Sequence, residues 1–221
     1  MTKVVDGAAL ASCFKVVSSC GSEIDAMSDS VLNLFTNAFS EEDDKLKHRP
    51  CALNGKHFSS YCMDDFGWVC TDVAYSLPLK NKAKKYTKTL AYLGFQISMT
   101  GTGIAAPGNN EPLVHVFLWE CPVDFVNENV SYPLDKDSGP RVCNDVLIEW
   151  GSGETNQWSD RQWLFSLRLT TLNDSKDLKE CIVDPALALL RGETVLSALP
   201  SSIKGLIRYT AEQLPFSKDE S

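Results

Sequence analysis

Two of the chain's three histidines and two of its eight cysteines fall within HRPCALNGKHFSSYC, from His48 to Cys62. Imidazole nitrogens and thiolates are ligands that zinc accepts, so His48, Cys51, His57 and Cys62 form the candidate metal set of this sequence. A structural zinc site usually supplies two short-spaced ligand pairs, each on one tight knuckle. Here only His48 and Cys51 stand close together, and no Cys-x-x-Cys occurs in the chain. Pro50 and the Asn54-Gly55 pair are turn formers, so the stretch reads better as a loop leading into a sheet. No cofactor is therefore expected. If zinc is held, His48 and Cys51 should be among its ligands.

Other groups could do chemistry only if the fold assembles them. A thiol nucleophile needs Cys51, Cys62 or Cys70 to meet His57 or His115, because a neighbouring imidazole is what activates the sulfur. His115 alternates with Val114 and Val116, a pattern that suits a satisfied core histidine better than a catalytic one. Asp72, Glu120 and Glu149 lie in strand-like segments. With Arg168 they would form a hydrolytic or metal-binding cluster if register brought them to one face. GTGIAAPGNNEP contains glycines, but it joins two strand-like segments and no Gly-Lys-Ser/Thr follows, so a phosphate loop is not expected.

Two features point to binding instead. Lys80, Lys82, Lys84, Lys85 and Lys88 cluster around Tyr86, which makes a local basic, stacking-capable turn. A hairpin tip that keeps a sheet edge solvated accounts for the same pattern. Trp158 sits in the polar loop SGETNQWSD, where no periodicity demands an apolar side chain, and an aromatic there suits an interface anchor.

The bulk composition agrees with a folded protein. At 221 residues, with 43% hydrophobic and 23% charged residues, the chain can build a sizeable core. A formal net charge of −8 disfavours generic nucleic-acid binding and suits a basic protein partner. The N-terminal residues lack an uninterrupted apolar run, and no segment is apolar over the length a bilayer requires, so no membrane association is expected. Several cysteines lie in apolar runs and read as reduced thiols, which places the chain in the cytoplasm.

Hydrophobic spacing then assigns the elements that would position these residues. Leu10, Phe14 and Val17 mark one helix, with Gly21 as its stop. Ile24, Met27, Val31, Leu34, Phe35 and Ala38 mark a second, ending near Ser40. From Phe66 the period changes to two. Strands are expected in WVCTDVAYSL, TLAYLGFQISMT, LVHVFLWEC, NDVLIEW and RQWLFSLRLTTL, the third apolar on both faces and so central. DPALALLRG and SSIKGLIRYTAEQL close the chain as helices. The expected fold is one α+β domain over 1–221, with an antiparallel sheet of about five consecutive strands at 66–172, flanked by helices at 6–40 and 175–214. One sheet face would carry the core and the other would be more polar.

The function expected from these residues is a non-enzymatic cytosolic accessory protein that binds another protein through an acidic or aromatic surface. An immunity-like inhibitor, an adaptor or a chaperone would fit. The alternatives are a metal-dependent hydrolase or nuclease using the sheet-face carboxylates, and a nucleic-acid accessory protein using the Lys80–Lys88 turn.

Overall fold

The computed structural model of the protein describes residues 6–41, 51–81, 89–99, 111–126, 141–150 and 162–209. Asp6 starts helix α1 (Gly7–Glu41), its carboxylate accepting the Ala8 and Ala9 amides at 3.0 and 3.2 Å. The helix then runs unbroken through Gly21, where two separate helices were expected. A glycine stops a helix by turning left-handed. Gly21 keeps a negative φ and costs only its backbone entropy, about 1 kcal/mol relative to alanine.

Among the described residues the sheet has eight strands: β1 (Cys51–Leu53), β2 (Phe58–Met63), β3 (Cys70–Asn81), β4 (Thr89–Ser98), β5 (Leu113–Trp119), β6 (Arg141–Cys143), β7 (Leu147–Trp150) and β8 (Gln162–Arg168). Their order is β1-β3-β4-β5-β8-β7-β6, and β2 pairs with β3 beside β1. Every pairing is antiparallel, so the fold is α+β as the order of elements implies. The five expected strands appear as β3, β4, β5, β7 and β8, with β5 central and buried along its whole length. β1, β2 and β6 are additional, so the sheet begins at Cys51 rather than at Phe66.

One face of the sheet is built on Val73, Leu77, Leu93, Phe95, Val116, Phe165 and Leu167. It packs against Val31, Leu32 and Phe35 of α1. It also packs against the C-terminal helical segment, which is α2 (Ser175–Leu178), a π turn at Lys179–Val183 and α3 (Asp184–Leu190). A short helix, α4 (Val195–Ala198), follows and adds Ala198 to the same core.

The opposite face, expected to be the more polar one, carries Asp72, Ser76, Gln96, His115 and Ser166, and it is buried as well. Ala74, Leu113, Phe117, Trp119, Ile148, Trp150 and Leu164 form a second cluster, closed by Val123, Ile207 and Tyr209. Residues 201–209 were expected to be helical and are not; 210–214 lie outside the described residues. The segment instead lies along the end of β8. Arg168 donates to Gly205 O and Ile207 to Ser166 O, both at 2.9 Å, and Leu206 bridges to Leu167. The reason is an open ladder. The short β7 pairs only with residues 162–164 of β8, which leaves backbone groups near Ser166–Arg168 to be satisfied, and the positive φ of Gly205 turns the chain onto them.

Candidate protein-interaction surface

From Cys51 to Cys62 the stretch resolves into two strands and a turn. Cys51–Leu53 and Phe58–Cys62 run antiparallel to β3 around a turn at Asn54–His57, with Gly55 at φ 93°. Asn54 anchors that turn, its amide donating to Pro78 O at 2.8 Å and its side chain to Thr89 Oγ1 at 2.9 Å. His57 is exposed and sets its ring edge-on to Tyr75, with centroids 5.7 Å apart. Cys62 is half-buried, opposite Asp72 in the β2–β3 ladder. His48 and the side chain of Cys51 lie outside the described residues. Among the described residues, no group of three His, Cys, Asp or Glu side chains is placed to hold a metal ion.

The carboxylates do not converge. Asp72 belongs to the second face, buried, and accepts Gln96 Nε2 at 2.8 Å. Glu149 is opposite Trp163 in the ladder and so shares the first face, with β4, β5 and β8 between its strand and that of Asp72. It accepts the Cys143 thiol at 3.3 Å and lies 4.0 Å from Arg141. Glu120 is exposed just beyond β5, and Arg168 pairs with Glu111 at 3.1 Å. Lys82, Lys84, Lys85, Tyr86 and Lys88 lie outside the described residues; Lys80 is half-buried at the end of β3.

The sheet interior holds a buried polar row that sequence reasoning did not assemble. Asp72, Gln96, His115 and Ser166 come from β3, β4, β5 and β8, and each is less than a tenth exposed. His115 Nδ1 lies 2.6 Å from Ser166 Oγ. Burial pushes the His115 imidazole down to about 4, so at neutral pH the ring is uncharged. Burial raises the thiols of Cys70, Cys121 and Cys181, the opposite of what a nucleophilic cysteine needs. The row stands apart from the grooves beside α1, beside β2, beside β7 and among the C-terminal helices. The row reads as two internal polar pairs, Asp72 with Gln96 and His115 with Ser166, on a closed sheet face; among the described residues Gln96 Oε1 has no hydrogen-bond partner.

The exposed chemistry lies elsewhere, on the β2–β3 turn Asp64–Val69. Asp64 organises it. Its carboxylate accepts the amides of Trp68 at 2.7 Å and Val69 at 3.1 Å, its carbonyl accepts Gly67, and its own amide donates to Val69 O. The backbone donors of Val69 and Trp68 hold the Asp64 carboxyl below its usual range. Gly67 supplies the left-handed residue, at φ 69°. This small frame presents Phe66 and Trp68 to solvent, 82% and 68% exposed.

Other apolar side chains surround the turn. Trp68 packs against Phe14 of α1, with ring centroids 5.9 Å apart and Phe14 still 55% exposed. Leu10 and Val17 extend the surface along α1, and Tyr61 and Met63 extend it along β2, all exposed. β2 also lies at the margin of the sheet. Among the described residues its only partner strand is β3, and FSSYCM carries no charge.

Tryptophan exposure was assigned to Trp158, which lies outside the described residues. Trp68 stands first in the expected strand WVCTDVAYSL because the alternating pattern runs through it. The signal that separates it is the preceding Asp64-Asp65-Phe66-Gly67, turn residues with an aromatic between them. Trp119, Trp150 and Trp163 are all buried. No helix among the described residues is long and apolar enough to cross a membrane. No family model, curated protein or solved structure matches the chain, so the surface itself has to carry the functional reading.

Proposed function

We propose that the protein is a non-enzymatic accessory protein that binds another protein through the aromatic turn Asp64–Val69 and the adjoining strand β2. One observation carries the reading: Phe66 and Trp68 are held in the open by a turn whose hydrogen bonds all close on Asp64. Large aromatics on a rigid frame lose little entropy on binding and are favoured as interface anchors. The uncharged margin of β2 offers backbone groups to an added strand from a partner. The net charge of −8 would speed the approach of a basic partner, while the contact itself is apolar. This reading covers an inhibitor, an adaptor or a chaperone acting in the cytoplasm, where the thiols at Cys13, Cys20 and Cys62 would stay reduced.

The test is affinity capture with the intact chain and with a Phe66→Ala/Trp68→Ala variant in parallel. The expected result is a partner retained at high salt by the intact chain and lost by the variant. That partner should also protect the amides of 58–69 from hydrogen exchange. Identical captures by the two chains would overturn the proposal.

A further inference from the structure

Along α1, Leu10, Phe14, Val17, Gly21, Ile24, Ser28, Val31, Phe35 and Ala38 recur at alternating intervals of four and three, which is a single heptad seam. Its C-terminal half packs into the core, with Ser28, Val31 and Phe35 completely buried. Its N-terminal half continues the same line into solvent, and every residue from Gly7 to Glu23 is exposed. This half is poorly suited to stand alone as a helix. Gly7–Ser22 contains six serines and glycines and two adjacent valines, all weak helix formers, and Lys15 is its only charged residue.

We infer that this half of α1 pairs with the same half of a second copy of the chain, the two helices running antiparallel. Three observations choose a second copy over other occupants. The seam is self-complementary in size: with the two-fold axis between Lys15 and Val16, Leu10 meets Gly21 of the second copy and Phe14 meets Val17. The seam is neutral, so two chains of charge −8 can meet there without opposing carboxylates. The half-helix is about 24 Å long. Laid against its copy, it buries on the order of 1,000 Å² in total, the lower bound for a specific interface. The dimer is therefore concentration-dependent, with Phe14 as its anchor. It goes beyond the partner-binding reading and would join two such binding turns in one assembly.

The register makes a second statement. Cys13 and Cys20 are both exposed and seven residues apart, so they share one flank of the seam. In the antiparallel pair, Cys13 of one copy lies beside Cys20 of the other.

The test measures the molar mass of the full chain by light scattering across micromolar concentrations, then maps disulfides after mild oxidation. The expected result is a shift towards twice 24.4 kDa with rising concentration, abolished by Phe14→Asp. Phe66→Ala, which lies off the seam and disturbs only the partner site, should leave the shift intact. Cross-links should join Cys13 to Cys20 of the other copy. A monomer at every concentration, a dimer unaffected by Phe14→Asp, or links joining only like cysteines would overturn the inference. Circular dichroism of the variant confirms that a lost dimer is not a lost fold.

Discussion

His115 and Ser166 face each other across β5 and β8 with Nδ1 and Oγ 2.6 Å apart, and both side chains are buried. In the register Gln96 lies opposite His115, and Gln96 reaches on to Asp72. The second face of the sheet thus holds a line of polar groups in a wall of Phe117, Trp119 and Leu164. A neutral imidazole can be satisfied there, whereas a charged one would have to give up its hydration on entering the closed face.

That requirement makes stability depend on pH in a defined window. The unfolded chain takes up a proton on His115 near 6.5, and the folded chain only near 4. Between those values the unfolded state binds more protons, so stability rises with pH there. It is complete above about pH 7 and is lost as the pH falls from about 6.5 towards 4, by up to about 3 kcal/mol. Urea unfolding at pH 7 and pH 4.5 should show this loss. His115→Gln should be less stable at pH 7 but should lose most of the slope; an unchanged slope would refute the assignment.

Two glycines should respond oppositely to alanine. A Cβ on Gly94 would press into the Tyr75 carbonyl and the Phe117 ring, neither of which can retreat from a packed sheet. Gly94→Ala should cost about 2–3 kcal/mol. A Cβ on Gly21 meets nothing within 4 Å, and its backbone is already helical. Gly21→Ala should therefore stabilise the chain by about 0.5–1 kcal/mol. Thermal unfolding of the two variants checks both signs.

The fold was legible where burial imposed a period, and illegible where backbone pairing decided. β3, β4 and β8 alternate because one set of their side chains enters the helix-covered core, and β5 reads as central because both its faces are buried. β1 and β6 are three residues each, too short to show a period. β2 leaves most of its side chains exposed, so FSSYCM shows no core pattern. Residues 201–209 carry a helical spacing, but they turn at 201–205 and the open ladder of β8 captures Gly205–Ile207 as a strap. The surface was hidden for a similar reason. Trp68 continues the alternation of β3, and against that pattern stand only the turn residues Asp64-Asp65-Phe66-Gly67 before it; the hydrogen bonds to Asp64 place it in the turn.

Asp64 should therefore matter for binding without touching a partner. Asp64→Ala removes the acceptor of the Trp68 and Val69 amides and frees the turn while both aromatics remain. Partner binding should weaken by about tenfold to a hundredfold, because the aromatics must then be ordered on binding. Asp64→Asn keeps a side-chain acceptor and should recover part of the loss. Calorimetric titration with the captured partner separates the cases; full affinity in Asp64→Ala would remove the positioning role.

The strap along β8 depends on a second carboxylate. Asp177, buried in α2, accepts the Asn173 amide at 3.1 Å and the ammonium of Lys204, which lies in the turn leading to Gly205. The Lys204 contact, and then the Asn173 amide, hold its carboxyl below the usual range. A depressed carboxylate contributes stability that is present at neutral pH and is lost as acid protonates it. Asp177→Asn should lower the thermal midpoint at pH 7 and leave it less sensitive to acid. Lys204→Met should also lower it, since the buried carboxylate then loses its counter-ion. The double variant should fall short of the sum, because either change alone breaks the same contact. Hydrogen exchange locates the effect: the Arg168 and Ile207 amides, which hold the strap on β8, should exchange faster in each variant than in the native chain. Unchanged exchange at these two amides would show that the strap holds without the Asp177–Lys204 pair.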